Sequence, residues 1–181
     1  SLVGSEMCIR DRMKIELLMK KAGLSVNERR VVEPALKKAE ETENTAAAIE
    51  LPNGKILTGK TSALLGASAA LLLNSLKELA GIADDILLIS PVVIEPIQKL
   101  KVEHLGNENP RLHTDEVLLT LAISALTNPL ADLAKRQLPG LRDSEAHFSV
   151  IISEEDLKIF KRLGVRVSCE PKYETKRLYH R

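Results

Sequence analysis

The sequence predicts an α/β domain of three layers, with a mixed sheet of about five strands that opens on a β-hairpin and with helices on both faces. Three observations carry that expectation. First, two apolar runs are joined through Pro52-Asn53-Gly54, and Asn and Gly tolerate the positive φ that tight hairpin turns need. Second, the following stretch, residues 64–81, is apolar on nearly every face, as befits a helix inside a core. Third, residues 147–152 read as a strand, residues 157–163 as a helix closed by Gly164, and residues 165–169 as an alternating strand. Strand, helix, strand makes a βαβ unit with two parallel strands and a right-handed crossover.

Taken in order, the chain begins with a segment unlike the rest. Met7-Cys8-Ile9-Arg10-Asp11-Arg12 reads as the translation of a sequencing-library adapter, so residues 1–12 are expected to be an artefact and the natural protein to continue upstream. Residues 13–44 are expected to be a helical linker from a missing upstream domain. Within them, residues 13–23 form an amphipathic helix and Asn27 caps a second helix reaching Thr42. Residues 45–171 make the α/β domain. After Gly81, the short apolar run Ile86-Leu87-Leu88-Ile89 suits a buried parallel strand.

Ser90 then caps a helix with Pro91 at its first position and Pro96 as a kink. Thr114 caps residues 115–127, with Asp115 and Glu116 where the helix dipole favours anions. Asn128-Pro129 starts another helix, ended at Pro139-Gly140, and residues 153–156 form a capping box. Residues 172–181 are a basic tail, either solvated or docked on a partner.

Composition narrows the function classes. The 181 residues suffice for one domain with a core. Lys+Arg 26 against Asp+Glu 25 leaves net +1, so no basic field awaits a nucleic acid. Aromatics are only 2% and lie towards the C-terminus, which removes stacking platforms elsewhere. With 2 cysteines a reducing, cytoplasmic setting is expected, with Cys169 a core thiol. No apolar run is long enough for a membrane span. The four histidines are scattered, so no zinc site is expected.

Candidate chemistry gathers at helix starts. Residues 54–61 match the phosphate-loop pattern G-x-x-x-x-G-K-T, but the first Gly closes a hairpin and the intervening residues are strand-like, so the context fails. A weaker reading keeps Lys60, Thr61 and Ser62 as an anion site at a helix N-terminus, with Ser90 at a second helix start. The alternative is simple capping. Arg111 can clamp an anion and His113 can act as acid or base. Glu145 and His147, on one side of a strand, are either a proton-transfer pair or a structural hydrogen bond. The residues identify no cofactor.

The stretches AAAIELPNGKILTGKTSALLGASAALLLNSLKELAGI, LISPVVIEPIQKLK, LGNENPRLHTDEVLLTLAISALTNP and EAHFSVIIS…FKRLGVRVSCEP together resemble a bacterial family. That family is domain of unknown function 1846, also called uncharacterised protein family 0371, and the likeness is to its C-terminal third. The resemblance implies an upstream α/β nucleotide-binding-like region and no established activity. The element order also resembles the cytidine-deaminase-like fold. The zinc-binding H-x-E and P-C-x-x-C positions hold Ser68-Ala69-Ala70 and Pro91-Val92-Val93-Ile94-Glu95, which implies that fold without its metal.

The expected function is therefore a pocket for a phosphorylated or nucleotide-like molecule, shared with the missing N-terminal domain. In it Lys60, Thr61, Ser62, Ser90 and Arg111 bind, and His113, Glu145 and His147 transfer protons. The alternative is a non-catalytic homo-oligomerisation domain, with residues 64–81 and 117–138 buried against a second copy.

Overall fold

A computed structural model describes residues 13–14 and 29–174. The expected helix over residues 13–23 lies outside this range except for its first two residues, as do the adapter-like segment and most of the basic tail.

Helix α1 (Val32–Thr42) leads into β1 (Ala46–Glu50) and β2 (Ile56–Lys60), followed by α2 (Ala67–Ala80). Helix α3 (Pro91–Lys99) runs into a π-helical turn (Leu100–His104). Helices α4 (Thr114–Ser124) and α5 (Pro129–Lys135) come next, then β3 (Glu145–Phe148), α6 (Glu154–Arg162) and β4 (Arg166–Cys169). The sheet order is β2-β1-β3-β4; β1 is antiparallel to both neighbours, whereas β3 and β4 are parallel.

The hairpin forms where the sequence places it. Gly54 has φ +85°, the Leu51 amide donates to the Lys55 carbonyl at 2.9 Å, and Asn53 Oδ1 accepts from the Lys55 amide at 2.9 Å. Three of the five residues of β1 are alanine, which lets helices approach both of its faces. Ala48 packs with Val31 and Ala35 under α1. Ala47 and Ile49 join the main core beneath α2, where Leu71, Leu72 and Leu76 are at most 1% exposed. Each such leucine contributes about 1.5–3 kcal/mol by leaving water. Phe148 and Phe160 meet edge to face at 5.5 Å between ring centroids, tying β3 to α6.

Four expectations need correction. The sheet has four strands among the described residues, not about five. Residues 86–89 form a bent connection after the turn at Asp84-Asp85; Leu88 and Ile89 plug the core while Leu87 is exposed. A short apolar run has no period that separates a strand from a packed coil. Without that strand the deaminase-like topology is not supported. Strand β3 covers Glu145–Phe148 and ends where the chain bends at Ser149, rather than running to Ile152. Cys169 is buried, as expected. Among the described residues no helix is long and apolar enough to cross a membrane.

Candidate functional site

In an α/β sheet, helices that follow strands begin at the strands' carboxyl ends, and ligands bind there. That end of this sheet carries a cleft of about 390 Å³. Strand β2 delivers Thr61 to it, the bend after β3 delivers Val150, Ile151 and Ile152, and the segment after β4 delivers Tyr173 and Glu174. The Ile151 amide donates to the Lys172 carbonyl at 2.8 Å and so pins that last segment.

Three helix starts border the cleft: Gly66, Ala67 and Ser68 of α2, His113 before α4, and Ser153 with Asp156 of α6. They are not equivalent. Ser153 Oγ accepts from the Asp156 amide at 3.2 Å, and Glu116 reaches back to the His113 amide at 2.9 Å. Asp156 in turn accepts from the Thr114 amide at 3.2 Å and from Thr114 Oγ1 at 2.6 Å. By contrast α2 begins at Gly66 with no side-chain cap. Its first-turn amides are the groups that a ligand anion would meet.

Arg111 is 2% exposed and lies at the end of a short parallel contact between Leu65 and Leu112. Its Nε donates to the Ser62 carbonyl, and the Lys101 ammonium bridges its backbone to α4: Lys101 Nζ donates to the Arg111 carbonyl at 2.6 Å and to Glu116 at 2.7 Å. The guanidinium is thus tied at the cleft to the Ser62 carbonyl, while Lys101 holds the Arg111 main chain.

Glu174 faces this cation across the cleft. Its carboxyl is pushed above the usual range chiefly by burial, against the Thr45 hydroxyl and the Arg111 and His113 charges, which pull it down. The folded state therefore holds this proton more tightly than the unfolded chain. The resulting stabilisation is complete below the ordinary carboxylate range and is lost as pH rises through the raised value. Glu174→Gln is expected to remove that dependence, so urea unfolding should show the variant gaining on the parent between about pH 4 and pH 7. An unchanged difference across that range would refute it.

Of the residues singled out from sequence, Thr61, Arg111 and His113 line the cleft. Lys60 is exposed at the end of β2 and outside it. Ser62 is exposed, and its Oγ accepts from the Leu64 and Leu65 amides at 3.3 and 3.2 Å. The helix begins at Ala67, five residues beyond Ser62, so Lys60 and Ser62 belong to a loop rather than to a helix N-terminus. Ser90 caps α3 at 3.3 Å from the Val92 amide and is not part of the cleft.

Glu145 and His147 do share one side of β3, but it is the side under α1. There His147 Nδ1 and Ser168 Oγ are 2.7 Å apart, with Arg29 donating to the same hydroxyl. Glu145 is paired with Arg29 at 3.6 Å and with Arg166 at 3.1 Å. Burial chiefly pulls the Arg29 guanidinium down, and Glu145 opposes this. The structure does not bring this pair to the cleft.

Sequence reasoning missed Ser68, Asp156 and Glu174 as cleft residues. Only Asp156 carried a signal, its place in a capping box, and that signal is local.

The description "Domain of unknown function DUF1846, C-terminal" matches residues 27–179. The chain belongs to the DUF1846 family. Its relatives in the family are bacterial proteins named UPF0371: one from Corynebacterium efficiens is 55% identical over 168 residues. Others from Streptococcus thermophilus and Streptococcus pneumoniae are 48% identical over 168 residues. Each alignment covers 93% of this chain but 34% of the relative. The chain thus spans about a third of the length of these family members, and the resemblance read from its motifs holds.

Proposed function

We propose that this cleft binds the anionic end of a phosphorylated or nucleotide-like small molecule, in a site completed by the rest of the longer family protein. One observation carries the reading: the uncapped start of α2 and the buried guanidinium of Arg111 border the same cleft. Backbone amides at a helix start and a fixed guanidinium are complementary to phosphate oxygens. Thr61 and Ser68 add hydroxyls. His113, partly exposed at the α4 start, is the group placed to exchange a proton with a bound ligand. Lys60, Ser62 and Ser90 drop out of the site, and Glu145 with His147 serves the sheet–α1 contact.

Calorimetric titration of the full-length protein with inorganic pyrophosphate and with nucleoside mono- and diphosphates tests this. Arg111→Ala is expected to weaken binding at least about tenfold, Arg111→Lys less, and Lys60→Ala not at all. Equal affinity in the parent and Arg111→Ala, or equal losses for Lys60→Ala and Arg111→Ala, would overturn the reading.

A further inference from the structure

We infer that the outer face of the α4–α5 hairpin is the seat on which the rest of the longer family protein docks. The inference stands independently of what the cleft binds. Helix α4 is apolar on two sides. Inward, Val117 and Leu121 are fully buried against α2 and α6. Outward, Leu119 is 66% exposed and Ile123 67%, one turn apart on α4, and Leu126, 83% exposed, continues the stripe in the turn that follows the helix. Leu130 and Leu133 of α5 extend it, with the Asp132–Arg136 ion pair at 2.9 Å beside them. Apolar residues on both sides of a helix belong to a helix that is covered on both sides.

The other outer surfaces differ. Helix α1 shows Glu33, Lys37, Glu40 and Glu41 to solvent, and α6 shows Glu155, Lys158, Lys161 and Arg162. Helix α3 and the π-helical turn after it also expose Val92, Val93, Leu100, Val102 and Leu105, but there Glu95, Lys99, Glu103 and His104 interleave them.

The occupant follows from chain length. This chain matches 34% of the Corynebacterium efficiens relative, so the larger part of such a protein lies outside the structure. A covalently attached body meets this face at high effective concentration, an advantage that a second copy lacks. Its chemistry is an aliphatic surface without net charge, to match Leu119, Ile123, Leu126 and Leu133. Helix α4 also begins at the cleft with His113 and Thr114, and Leu119 lies about 8 Å further along its axis. A body seated on the stripe therefore reaches the cleft's edge.

The test is thiol labelling in the full-length protein, with the parent's own labelling subtracted. Leu126→Cys and, separately, Leu133→Cys are compared with Lys158→Cys on the polar face of α6. The first two are expected to react at least about tenfold more slowly, at a rate unchanged by dilution from micromolar to nanomolar, as for an intramolecular contact. Reaction as fast as Lys158→Cys overturns the inference. So does protection that disappears on dilution together with a sedimenting dimer, which would assign the face to a second copy.

Discussion

Gly59→Ala is expected to cost about 3 kcal/mol or more, because the added methyl has no room to enter and its neighbour no room to leave. A Cβ at this position would lie 2.6 Å from the Leu71 amide nitrogen and 2.8 Å from its Cα. Those are backbone atoms of α2, so no rotamer change relieves the contact. Nor can the helix lift, since Asn74 Nδ2 donates to the Thr58 carbonyl at 3.0 Å and Leu71 is fully buried. The strand cannot retreat either, for Gly59 is paired with Ala47 of β1. Differential calorimetry should show a fall in Tm of roughly 6–12 °C for a protein of this size. The experiment also decides what the glycine is for. As a phosphate-loop glycine it would tolerate alanine in the absence of ligand, whereas a packing glycine unfolds with it. A loss below about 1 kcal/mol would remove the packing account.

That glycine shows which levels of the structure could be read from residues alone. Turn and cap chemistry is local, so Asn53-Gly54, Ser90-Pro91, Asn128-Pro129 and Ser153 announce their elements and the structure agrees. The run at residues 86–89 carries no such chemistry, and its bend is decided by the core it plugs. Polar residues at 60–62 resemble a helix cap, while the residue that precedes the helix, Gly66, has no capping side chain. Arg111 and His113 stood out as ionisable groups that local capping could not explain, and both reach the cleft. Glu145 and His147 stood out equally, yet pleat alternation says only that they share a side. Which side of the sheet faces a cleft is set by helix packing that no short stretch records. Asp156 shows the converse: a local role in capping hid a bond to a residue 42 positions away.

Asp156 yields the sharpest pair of substitutions. It is 6% exposed, at the start of α6, and accepts both the amide and the hydroxyl of Thr114 at the start of α4. Two helix starts, each carrying partial positive charge, are thereby held together by one carboxylate. Asp156→Ala leaves a buried amide and a buried hydroxyl without an acceptor and removes the shared counter-charge, at an expected cost of about 3 kcal/mol. Asp156→Asn keeps the shape and one acceptor, so the loss should fall to about 1 kcal/mol. Ligand binding should move the other way. The carboxylate also borders the cleft, where it opposes any anion drawn by Arg111 and the α2 amides. Asp156→Asn is therefore expected to raise the affinity for pyrophosphate by a few-fold, roughly the effect of one partly screened charge, while lowering the unfolding midpoint. Opposite signs in the two measurements separate a carboxylate that braces the helices from one that holds a ligand. If both fall together, Asp156 binds the ligand directly, and the cleft takes a molecule with a donor group at that point rather than a simple anion.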